Sequence, residues 1–127
     1  MKSALRLVLP LPFLLICLPA QAQAYDVETG PVMICDTQKQ VERFAQLFDG
    51  DMQVAMSAIN NEEHNPNACA MVDATYVEGP EIGVARSGSH TFRIVPIVVV
   101  AADTSAGYRA VEPALFFTPV QIVEYAV

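Results

Sequence analysis

Between residues 37 and 59 the apolar side chains recur every three or four positions, whereas from residue 70 onward they alternate or run together, so a helical part precedes a strand-rich part. Val41, Phe44, Ala45 and Phe48 fall at i, i+3, i+4 and i+7 and predict one buried helix face, with Lys39, Glu42 and Arg43 turned away from it. Thr37 followed by Gln40 has the form of a capping box at the start of this helix, with Asp36 as a competing cap. Asp49-Gly50 supplies an ending, because glycine tolerates the left-handed conformation that closes many helices. Met52, Ala55, Met56 and Ile59 repeat the same spacing and predict a second short helix, or a continuation broken at Gly50. Residues 60–67, N-N-E-E-H-N-P-N, have no period and read as a loop leading to Cys69.

Ala70, Val72, Ala74 and Tyr76 alternate with Met71, Asp73, Thr75 and Val77, which predicts a strand ended by Gly79-Pro80. A weaker strand follows over residues 82–86, then a turn at Ser87-Gly88-Ser89. Residues 90–102 carry the strongest strand signal, and Pro96 within it calls for an edge position or a bulge, since proline cannot donate to a ladder. Residues 108–111, 114–117 and 120–125 predict three further strands separated by Pro113 and Pro119. The expected fold class is therefore α+β: two short N-terminal helices packed on a mostly antiparallel sheet. Val95, Ile97 and Val99 on one face of the main strand and Ile94, Val98 and Val100 on the other are all apolar, so the sheet should curl or leave a patch for a second copy or a protein partner.

The first 24 residues change the compartment. Lys2 and Arg6 precede an apolar stretch, and Ala22-Gln23-Ala24 offers a small-x-small cleavage pattern, as in a secretory leader. Pro10, Pro12 and Pro19 and the short span argue against a transmembrane helix, which needs about 20 apolar residues. Ile16 before Cys17 does not match a lipobox. Cleavage after Ala24 leaves one small domain, residues 25–127, in a periplasmic or secreted location. Its two cysteines, Cys35 and Cys69, are expected to form a disulfide that ties the first helix to the sheet. The remaining domain carries five basic against fourteen acidic residues, and the acids concentrate before residue 82. That balance disfavours nucleic acid and anionic membrane surfaces as partners.

Candidate chemistry is sparse. Ser87-Gly88-Ser89-His90 places hydroxyls beside an imidazole, and Ser87, Ser89 and His90 are the candidate interaction residues, but adjacency in sequence supplies neither an orienting acid nor an oxyanion hole. Glu62, Glu63 and His64 could offer ligands, yet adjacent side chains on a loop do not fix a coordination geometry. No catalytic motif, metal motif or cofactor fingerprint is present. The motifs C-D-T-Q-x-Q-V-E-x-F at residues 35–44 and N-P-N-A-C at residues 65–69 resemble a group of small uncharacterised exported bacterial proteins, a resemblance that implies export and no particular activity. Ser87-Gly88 is also similar to the Ser-Gly loop of some periplasmic lysozyme inhibitors, which are small, disulfide-bonded and β-rich. The expectation is an exported non-enzymatic binding or interaction module, with a small periplasmic hydrolase or a lysozyme-inhibitor-like protein as the alternatives.

Overall fold

A computed structural model describes residues 26–123, so the leader expected over residues 1–24 lies outside it. The order of elements is β1 (Val27–Cys35), α1 (Gln38–Leu47), α2 (Met52–Glu62), β2 (Cys69–Glu78), β3 (Gly83–Ser87), β4 (His90–Thr104) and β5 (Gly107–Ile122). The fold is α+β, but the two helices follow a strand rather than open the domain. β1 escapes a pattern reading because Gly30-Pro31 sits in its middle, and Gly30 has a φ of +150° that side chains rarely adopt. Pairing with β2 along the whole strand, from Val27 opposite Val77 to Cys35 opposite Cys69, overrides that local signal.

The helical part follows local rules closely. Thr37 N donates to Gln40 Oε1 (3.0 Å) and Gln40 N to Thr37 Oγ1 (3.2 Å), which closes the capping box. Val41, Phe44, Ala45 and Phe48 are buried, while Lys39 and Arg43 are exposed and Glu42 is half-buried. α1 ends on Phe48 in an extended conformation rather than on a left-handed glycine; Gly50, with φ +118°, turns the linker that follows. α2 is capped by Asp51 and buries Ala55, Met56 and Ile59, but Met52, expected on that face, is exposed.

All strand pairs are antiparallel, in the order β2-β1-β5-β4-β3 with an additional β2–β4 pairing. That extra pairing curls the sheet back on itself: β1, β2, β4 and β5 form a closed circuit. Two apolar clusters result. Phe44, Phe48, Ile59, Phe92 and Ile94 pack between the helices and one face of the sheet, whereas Val32, Ala74, Val95, Ile97 and Val99 pack inside the curl. β4 is thus covered on both faces over its first half.

Three expectations need correction. The disulfide joins Cys35 to Cys69 as predicted, but it links the adjacent strands β1 and β2 rather than a helix to the sheet. Residues 107–122 form one continuous strand, not three, across Pro113 and Pro119. Pro96 is neither on an edge strand nor at a bulge. β3 pairs with β4 as far as Ile94 and β2 takes over from Ile97, so Pro96 sits at the hand-over, where the ladder has no use for its missing donor. Its carbonyl accepts from Gly79 N (2.8 Å), and a Cβ at Gly79 would lie 3.0 Å from Pro96 Cγ, so glycine permits this close approach.

Candidate functional site

The circuit of strands is sealed unevenly. β1 and β5 pair at one position, Cys35 opposite Phe117. Backbone direction explains why pairing stops there. Glu78 N donates to Asp26 O (3.3 Å) and Asp36 N to Ala68 O (3.1 Å), so the even positions of β1 face β2 and the odd positions, Pro31 and Met33 among them, face β5. On β4, Ile82 N donates to Ile94 O (2.9 Å) and Gly79 N to Pro96 O, so these residues turn their polar edges away from β5. Their partners, Pro119 and Phe117, therefore turn theirs toward β1. Continued zipping would set Met33 against Pro119 and Pro31 against Gln121, and each of those pairs includes a residue without an N–H. Two prolines thus hold the seam open.

A cavity of about 480 Å³ occupies this opening, lined from both strands and floored by residues of the concave face. Glu28 on β1, Tyr76 and Glu78 on β2 and Arg93 on β4 share that face, as strand alternation and register require. Tyr76 Oη donates to Glu28 Oε2 (3.0 Å). Burial, then the hydrogen bond to Glu28 and the charges of Glu28 and Glu78, push the Tyr76 phenol up to about 12, so it remains a proton donor at neutral pH. Burial first, and next the charge of Glu28, hold the Glu78 carboxyl above the ordinary value of 4.5, against an opposing pull from Arg93. Arg93 lines the same cavity, yet among the described residues the one ion pair is Arg43 with Glu62 (2.8 Å), across the exposed faces of the two helices. Two crowded carboxylates, a fixed hydroxyl donor and an arginine that ion-pairs with none of them within 4.0 Å form a polar floor under apolar walls.

The residues singled out from sequence lie elsewhere. Ser87 and His90 are paired across the β3–β4 turn, but Ser87 Oγ donates to Gln46 O (3.1 Å), while His90 Nδ1 meets Gln121 Nε2 (3.2 Å) and its ring stands edge-on to Phe48. Ser89 is exposed at the turn. The fold therefore uses Ser87 and His90 to fasten the hairpin to α1 and β5. The loop expected over residues 60–67 begins only after Glu62, and Asn60, in the last turn of α2, clamps it: its Nδ2 donates to Pro66 O (2.9 Å) and Cys69 O (3.0 Å), and its Oδ1 accepts from Cys69 N (2.9 Å). Among the described residues no three of His, Cys, Asp and Glu come together in a metal-binding group, and no helix is long and apolar enough to cross a membrane. On the convex face, Val77, Val98 and Leu115 lie in register across three strands beyond the reach of the helices, with Leu115 57% exposed. Comparison of the chain with family models, with curated proteins and with solved structures finds no match.

The seam was not visible in the sequence. Glu28 falls in no predicted element there, Glu78 and Arg93 look like ordinary strand charges, and the one available signal was Pro31 and Pro119 in segments that the fold makes into neighbours.

Proposed function

We propose that this chain is an exported, non-enzymatic binding module that takes a ligand bearing a basic group into the seam between β1 and β5. The observation that carries this reading is the carboxylate pair on the cavity floor. Glu78 is half-buried and its charged form is disfavoured by Glu28 beside it, an arrangement that a bound cation would relieve. Tyr76 fixes one of the two carboxylates by donating to Glu28. Arg93 on the same floor supplies the opposite charge, which suits a zwitterionic ligand such as an amino acid or a short peptide end. The apolar walls, Val32 and Val120 among them, accommodate its aliphatic part. The leader pattern and the disulfide support an extracytoplasmic setting.

The test is to isolate the protein from its native compartment, identify small molecules released on denaturation by mass spectrometry, and titrate the emptied protein with lysine, arginine and neutral amino acids by calorimetry. Basic ligands should bind, and binding should lower the raised Glu78 pKa. Glu78→Gln should weaken that binding at least tenfold. If no basic compound binds, or if Glu78→Gln binds as the parent does, the reading fails.

A further inference from the structure

A second chemistry lies on the helix-side wall of the same opening. The chain has five methionines: Met1 starts it, Met56 is buried among the helices, and the other three, Met33, Met52 and Met71, all line the seam cavity. They come from three elements, β1, α2 and β2. Met33 and Met71 stand directly opposite each other in the β1–β2 register. Because the ladder bonds fall on the even positions of β1, this is a non-hydrogen-bonded pair, the kind whose side chains approach most closely, with Cβ atoms roughly 4.5–5.5 Å apart. Met33 is 4% exposed, whereas Met71 and Met52 are 42% and 39% exposed, so the three grade from the core to the cavity mouth.

We infer that Met33, Met52 and Met71 form a thioether site for a soft monovalent metal ion, Cu(I) or its redox-inert counterpart Ag(I). A thioether is neutral, polarizable and a poor ligand for hard cations, so a set of three selects the soft d¹⁰ ions, which accept low coordination numbers. Among the described residues no thiolate competes, because Cys35 and Cys69 are joined to each other. The carboxylates of Glu28 and Glu78 project from the opposite face of their strands; on the methionine side the other polar lining residue is Gln121, a neutral amide whose Nε2 meets His90 Nδ1, so the soft donors there are the three thioethers. An apolar lining made by chance would use leucine or valine as readily as methionine. Here three of the five methionines fall on one cavity, and Met33 at its base belongs also to the helix-side core that holds Met56.

The inference is independent of the basic-ligand reading, since it uses other residues and another class of ligand. Its test is titration of the disulfide-intact protein with Ag(I) in chloride-free buffer, read by native mass spectrometry for stoichiometry and by X-ray absorption for the ligand atoms. The expected result is one Ag(I) per chain with sulfur in its coordination shell. Met52→Leu combined with Met71→Leu conserves volume at two exposed positions, so circular dichroism should be unchanged while affinity falls at least tenfold. Met56→Leu, a buried change outside the cavity, should bind as the parent does. Equal affinity in the double variant, ligation by nitrogen from His64 or His90, or no uptake by the parent chain overturns the site.

Discussion

The same two strands, β1 and β5, meet at Cys35 and Phe117 and part a few residues later at Pro31 and Gln121, and the two ends of their seam are built on different principles. At the closed end the backbone groups pair, the disulfide joins β1 to β2, and Phe44, Phe48 and Phe92 pack above with ring centroids 5.1–5.7 Å apart. At the open end prolines withhold donors, the concave face carries Glu28, Glu78 and Arg93, and no helix lies over them. Stability is concentrated at one end and solvent access at the other. A domain of this size can keep a polar opening in its sheet because β2, β4 and β5 pair along most of the remaining circuit and β4 is covered on both faces over its first half.

Four experiments break or sharpen that contrast. The largest effect should come from charging the inside of the curl: Val95→Lys forces a long cationic side chain among the close-packed Ile97, Val99 and Ala74, beside Arg93 on the same face, and should prevent folding, as read by circular dichroism. Val98→Lys, on the half-exposed convex row with Val77 and Leu115, should leave the fold intact, and light scattering will show whether that row mediates association. If both variants fold normally, the closed circuit is not the core of the protein.

At the helix-covered end, Phe44→Ala should cost about 3–5 kcal/mol in urea unfolding, because it removes a fully buried ring that packs on both Phe48 and Phe92. Glu42→Ala, one position outside the buried stripe, should be near neutral. Equal effects would mean that α1 does not anchor this end.

Reduction of the Cys35–Cys69 bridge, which spans 34 residues of sequence, should lower stability by roughly 3–4 kcal/mol in the chain-entropy account. Intact mass with and without reductant should differ by two protons. Two free thiols in freshly isolated protein would remove the bridge from the closed end altogether.

The smallest effect belongs to the open end. The folded-state pKa of Glu78 is raised, so the folded protein favours its protonated form: that stabilisation is fully present below the ordinary carboxylate value and is lost as pH rises through the raised one. Glu78→Gln, which keeps the neutral form, should therefore raise the melting temperature slightly at neutral pH and leave it unchanged well below pH 4.5. A lower melting temperature at neutral pH would show that Glu78 is paired rather than crowded.

The capping box at Thr37 and Gln40, the stripe through Phe44 and Phe48, the strands between residues 69 and 104 and the cysteine pair were all legible in the sequence, because each depends on residues close together or on an even number of cysteines after the expected leader. The candidate site was not. Ser87 and His90 drew attention through adjacency, yet their hydrogen bonds run to Gln46 and Gln121, 41 and 31 residues away along the chain. The charged floor residues Glu28, Glu78 and Arg93, by contrast, stand 15 to 65 positions apart with nothing local to connect them.

Periodicity decided which side of each helix or strand faces apolar neighbours, since side-chain direction follows from local backbone geometry. It could not decide which strand lies beside which, or toward which neighbour a given N–H points. That is why the pattern gives no sign of β1, why Pro96 reads as an edge or bulge residue, and why β5 reads as three strands divided at its prolines: a proline is harmless wherever its ring nitrogen faces a hand-over, solvent or a gap, and pairing alone determines what it faces. Local pattern and cysteine number set the helices, the strand composition and the bridge. Tertiary pairing decided that the sheet closes, that the closure stops at Cys35 and Phe117, and that a polar floor and three methionines meet where it stops.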